Sequence, residues 1–164
     1  MMALKPLFHL SFNKTLEGMW YPRAPMMPSN ADKGYRSGEV DFARICVSPT
    51  IEGCFYAIYP NVSSFFEERK KPYMDFYVYQ ARLLRKPKIL TPEQLIQRKL
   101  VPDAHVTREH GILEPVYMRL FQKIRVINTT ALRDKEIWYH PFNDPSKPMI
   151  FLSPVCSYRV INRF

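Results

Sequence analysis

The stretch ARICVSPTIEGCFYAI, residues 43–58, carries the clearest structural signal in the chain. Ile45, Cys46 and Val47 form a short apolar, partly β-branched run of the kind that makes a buried strand. Ser48 then offers a side-chain oxygen to a helix N-terminus, and the fixed φ of Pro49 suits the first helical position. Ile51, Cys54, Phe55 and Ile58 follow at i, i+3, i+4 and i+7, on one face of a short helix. A strand that runs straight into an amphipathic helix belongs to a mixed fold, and the neighbouring segments decide which kind.

Most of those segments read as strands. In MDFYVYQAR (74–82), Met74, Phe76 and Val78 alternate with Asp75, Tyr77 and Tyr79. LFHLSFN (7–13) alternates around His9, PVYMRLF (115–121) and KIRVIN (123–128) add two strand candidates, and MIFLS and SYRVINR near the C-terminus add one or two more. A second helix is expected in TPEQLIQRKL (91–100), where Thr91 precedes Gln94 by three residues with Pro92 between them, the pattern of a capping box. VPDAH (101–105) reads as a turn, and YPRAPMMPSNADKGYRSGE (21–39) and HPFNDPSKP (140–148) as loops. The expectation is one α+β domain over residues 1–164, a bent or split, mostly antiparallel sheet with two short helices.

Composition agrees with many short strands. The 164 residues are 46% hydrophobic and 24% charged, enough for one sizeable core, and fifteen prolines against five glycines favour strands broken by rigid turns over a helical bundle. No run approaches the roughly 18 apolar residues of a membrane span, and the N-terminus lacks the charged, apolar, small-residue order of a secretory signal. No membrane association and a cytoplasmic location are therefore expected. Cys46, Cys54 and Cys156 form no C-x-x-C pair, and His9, His105, His110 and His140 are too scattered for a metal-ligand spacing. The chain contains no G-x-S-x-G, G-x-x-x-x-G-K-[ST] or G-x-G-x-x-G motif, which removes the common hydrolase, P-loop and Rossmann readings. A formal charge of +9 favours an anionic partner: nucleic acid, a nucleotide or an acidic protein.

Two places invite a ligand. His9 shares a strand face with Leu7 and Ser11, opposite Phe8 and Leu10, which suits a cleft as well as it suits a strand histidine bonded to nearby backbone. Tyr73, Tyr77 and Tyr79 lie among Lys70, Lys71, Arg82, Arg85, Lys86 and Lys88, and the alternation sets Tyr77 and Tyr79 on the face opposite the apolar one, a basic aromatic surface on which nucleic acid could stack.

The order of these elements resembles the ADP-ribosyltransferase fold, particularly the rifampin-modifying ADP-ribosyltransferases and, more remotely, the RNA 2'-phosphotransferases. Phe8-His9-Leu10-Ser11 is similar to that family's opening aromatic-His-Gly-Thr/Ser strand, with Leu10 where the family has glycine. ICVSPTIEGCFYAIY resembles its apolar strand with a hydroxyl end and short helix, DFYVYQA its next strand, and the segment from VPD through the E-P dipeptide to KIRVI its closing part, so the likeness covers residues 7–127 in outline. The H-x-S, P-R-x-P, R-[IV]-C, SP[ST]I and VPD elements also resemble small proteins of Gram-positive bacteria and their phages.

What the transferase resemblance implies is a nucleotide-binding protein that takes NAD and possesses, in the fullest case, the ability to move ADP-ribose to a protein or nucleic-acid acceptor. His9 would fix the nicotinamide-side ribose or the amide. Ser11, Ser48 and Thr50 would help hold the carboxamide or a phosphate, Arg23 and Arg44 the phosphates, and Tyr56 or Tyr59 would stack on the nicotinamide ring. Glu93 stands nearest in order to the family's acidic position, with Asp103 and Glu109 as competitors. Catalysis itself is left open. The alternative is a non-enzymatic phage-type protein that blocks a host macromolecule or binds nucleic acid through its basic aromatic surface.

Overall fold

The computed structural model describes residues 5–24, 42–58, 73–128, 150–153 and 156–164. Its elements run β1 (Phe8–Ser11), β2 (Gly18–Trp20), β3 (Ile45–Val47), α1 (51–58), β4 (Tyr73–Arg82), β5 (Ile89–Leu90), α2 (Pro92–Gln97), α3 (Ala104–Thr107), β6 (His110–Ile112), β7 (Val116–Asn128), β8 (Ile150–Ser153) and β9 (Cys156–Arg163). The fold is α+β, and every strand pairing is antiparallel.

The strands form two sheets. The larger has the order β1-β4-β7-β9-β8, with β2 also paired to β7, and the smaller has the order β3-β6-β5. They meet at β1: Phe8 and Ser48 exchange backbone hydrogen bonds at 2.7 and 2.9 Å, so β1 pairs with β4 on one edge and with the end of β3 on the other. A split, curled sheet results.

The thirteen-residue β7 is the spine. The sequence suggests two strands here, and the structure joins them into one through an irregularity in the register. Tyr79 faces Leu120 but the preceding Val78 faces Gln122, which leaves Phe121 as an unopposed bulge residue. One extra residue exchanges the faces of the sheet. Val116, Met118 and Leu120 therefore pack with Tyr79 and Ala81 against Ile45, Val47 and Ile112 of the small sheet. Ile124 and Val126 pack with Met74, Phe76 and Val78 on the other face, under Cys54 and Phe55 of α1. A third cluster, Leu90, Leu95, Leu100, Val101 and Ala104, seats α2 and α3 beside the small sheet.

Several expectations need correction. Three helices, not two, occur among the described residues, because the VPDAH segment enters the single turn of α3. Thr50, not Ser48, caps α1: its hydroxyl accepts from Gly53 N at 3.0 Å and its carbonyl from Cys54 N at 3.2 Å. At α2 the capping box of Thr91 and Gln94 is present with both reciprocal bonds. Tyr77 and Tyr79 share a face as alternation requires, but the small sheet and the 13–20 segment cover it at Tyr79. That side chain is wholly buried, its hydroxyl donating to Asn13 O at 2.7 Å and accepting from Leu16 N at 3.1 Å. It offers no stacking surface. Lys70 and Lys71 lie outside the described residues.

Farther along β4 the same face is polar. Asp75 stands opposite Arg125 and receives two hydrogen bonds from it, at 2.8 and 3.1 Å, while Lys123 Nζ lies 3.0 Å from its second oxygen. Burial raises the Asp75 pKa, but the bonds from Arg125 and Lys123 outweigh it and hold the carboxyl below its ordinary range. A depressed pKa adds stability that is fully present above the unfolded-state value near 3.9 and is lost as pH falls through the folded-state value. Urea unfolding of Asp75→Asn should therefore show a deficit against wild type that is constant from pH 7 to about 5 and closes below about pH 4. A deficit independent of pH would assign the stabilisation to packing. No helix among the described residues is long and apolar enough to cross a membrane.

Candidate functional site

The junction of the sheets encloses a cavity of ≈ 80 Å3 whose walls include His9, Cys46, Ser48, Gly53, Thr107 and Glu109. Each arrives by a traceable route. His9 sits on β1, opposite Tyr79 of β4, and the β1-to-Ser48 bridge brings the end of β3 alongside it. The β3–β6 register, Val47 against His110 and Cys46 against Gly111, then carries Glu109 to the same place. The floor comes from α1, where Gly53 passes so close that an added Cβ would collide with Ser48 Oγ and Thr107 O.

The polar groups have defined states. His9 Nδ1 lies 2.8 Å from Cys46 O, and since a carbonyl only accepts, Nδ1 carries the proton and Nε2 holds the lone pair of the neutral ring. Burial lowers the His9 pKa and the Arg23 charge adds to this, against the opposing effect of the Cys46 carbonyl. His9 is thus a neutral base with one fixed tautomer at pH 7, its ring set edge-on against Trp20 with centroids 4.9 Å apart. Glu109 lies 3.6 Å from the guanidinium of Arg44, which is itself almost wholly buried. Gly111 makes room for that arginine: an added Cβ would stand 3.0 Å from Arg44 Cδ. Cys54, also in the wall, donates its thiol to Phe8 O at 3.2 Å, and burial pushes its pKa up to about 12, so it is no nucleophile.

The residues singled out by sequence distribute unevenly. His9 and Ser48 do share the cavity, yet both Ser48 donors are engaged inside the protein, the N–H with Phe8 O and the hydroxyl with Thr107 O at 3.0 Å. Arg44 reaches the site through Glu109, not as an open cation. Arg23 is joined to Arg44 by a backbone bridge and is exposed. Ser11 Oγ accepts from Asn13 N at 3.1 Å, and Tyr56 projects outward from α1. Tyr59 lies outside the described residues.

Glu93 is elsewhere. It lines a separate surface groove with Lys5, Thr50, Thr91, Arg108 and His110, and its carboxyl is held below the ordinary range chiefly by the Thr91 hydroxyl, as an exposed first-turn acid is. Asp103 stands at the N-cap of α3. Of the three carboxylates, the cavity receives Glu109. Gly53 and Thr107 were not singled out, although an isolated glycine in a helical pattern is a signal of close approach.

In size the cavity holds a few waters: it is about half the roughly 150 Å3 of a cavity that takes benzene, and well below the roughly 300–1,000 Å3 of sites that enclose a whole ligand. Among the described residues no group of three or more His, Cys, Asp or Glu is placed to hold a metal ion. Compared with protein-family models, with curated proteins and with solved structures, the chain matches none.

Proposed function

We propose that the protein binds a nucleotide, NAD in the first place, in the manner of the ADP-ribosyltransferases it resembles, with the nicotinamide ring at the mouth of the His9–Glu109 cavity and the ribose and phosphates beyond it. The observation that carries this reading is the convergence of a tautomerically fixed histidine from one sheet and an arginine-held carboxylate from the other on one cavity. His9 Nε2 accepts a hydrogen bond from the carboxamide or a ribose hydroxyl and orients the ligand. Glu109 faces the positive charge that develops on the ribose as the C1'–nitrogen bond breaks and nicotinamide leaves with the bonding electron pair. A nucleophile on a protein or nucleic-acid acceptor then forms the new bond at C1' and gives up its proton.

Thermal unfolding with and without millimolar NAD tests the binding step. A ligand at a hundred times its Kd stabilises the native state by about 2.7 kcal/mol, which for a chain of this size raises Tm by roughly 5–10 °C. Wild type should show such a rise, and His9→Ala and Glu109→Gln should lose it while still unfolding cooperatively. Because only the neutral ring accepts the bond, the rise should also shrink as pH falls through the His9 pKa, which burial holds below the ordinary histidine value. An unchanged wild-type Tm overturns the reading.

A further inference from the structure

A groove of ≈ 720 Å3 opens where β2, β7 and β4 end together, away from the cavity just described. Its base is one cross-strand row: Met19 of β2 stands opposite Tyr117 of β7, and Tyr117 opposite Arg82 of β4, so the three side chains emerge on the same face. Leu84 and Arg85 extend the row beyond the end of β4, with Pro87 completing the wall. These are side chains that a folded chain ordinarily hides. Leu84 is fully exposed, Met19 is 53% exposed and Tyr117 38%.

We propose that this groove docks a segment of another protein in which apolar side chains alternate with carboxylates. The apolar row matches the first requirement. The charge pattern matches the second, since Arg82 and Arg85 line the groove and Lys86 and Lys88 stand exposed just past it. The single carboxylate in the lining, Glu114, lies 3.4 Å from Arg85, whose side chain is 82% exposed and free to turn towards an incoming acid. Met, Tyr and Arg are also the residues that protein interfaces concentrate. A second copy of this chain fits badly, because it would set its own arginines against these. Single-stranded nucleic acid stacks its bases on aromatic faces, and the groove offers one ring among aliphatic side chains.

A displayed library of random short peptides, panned against the full chain, tests this independently of any nucleotide. Enriched peptides should combine Asp or Glu with Leu, Ile or Phe. In fluorescence anisotropy their affinity should fall at least about tenfold for Leu84→Asp and for Arg82→Glu, and weaken with added salt. Both substitutions are on the surface and should leave Tm unchanged. No enrichment, enrichment without acidic residues, or equal binding by both variants overturns the proposal. Oligo(dT) bound by wild type and released by the same substitutions would overturn it in favour of nucleic acid.

Discussion

Deletion of Phe121 should leave the chain folding cooperatively, at a cost close to that of Phe121→Ala. The deletion removes the bulge and keeps every facing pair. Leu120 then directly precedes Gln122, and neighbouring residues of a strand point to opposite faces, so a regular ladder holds Leu120 opposite Tyr79 and Gln122 opposite Val78. Val116, Met118 and Leu120 stay against the small sheet, and Ile124 and Val126 stay under α1. Both variants lose mainly the contact with Phe8, whose ring centroid lies 5.5 Å away, for about 1–2 kcal/mol. Urea titrations followed by near-ultraviolet circular dichroism measure both. Loss of the cooperative transition in the deletion variant alone would show that Phe121 is not an unopposed residue between the two halves of β7.

Gly53→Ala should destabilise by about 2–3 kcal/mol, lowering Tm by roughly 4–12 °C. The sign is the informative part. In an open helix the same change stabilises by up to about 1 kcal/mol through propensity. Here the new methyl meets Ser48 Oγ and Thr107 O, a hydrogen-bonded pair with no flexible end to move aside. Adding Ser48→Ala removes one of the two obstacles and should restore part of the loss. The substituted methyl also intrudes at the cavity floor, so Gly53→Ala should lose the NAD-induced rise in Tm. A stabilised Gly53→Ala variant would mean that α1 stands farther from Thr107 than described.

Local chemistry made much of this fold legible. Alternation marked β4, the Thr91–Gln94 box marked α2, and the i, i+3, i+4, i+7 spacing marked the face of α1 that meets the large sheet. The remainder depended on what lies across from each segment. The exposure of Tyr79 could not be read from its strand face, because a second sheet covers that face. The α1 cap fell at Thr50 because the Phe8 bridge keeps Ser48 extended. His9 and Ser48 share a cavity as their places at strand ends suggest, but the choice among Glu93, Asp103 and Glu109 rests on the β3–β6 register, a pairing between segments some sixty residues apart. Glu93 lies in the first turn of the proline-started α2 and lines a different groove.

The central claim, that a nucleotide seats beside His9, is tested most directly by imidazole NMR. Long-range 1H–15N spectra should show His9 as a neutral ring protonated at Nδ1 at pH 7, assigned by its absence in His9→Gln. Titration with NAD should move the His9 Nε2 resonance saturably and leave that of exposed His105 in place. An Nε2 signal unmoved at millimolar NAD, with the Nδ1–H tautomer intact, would contradict the account.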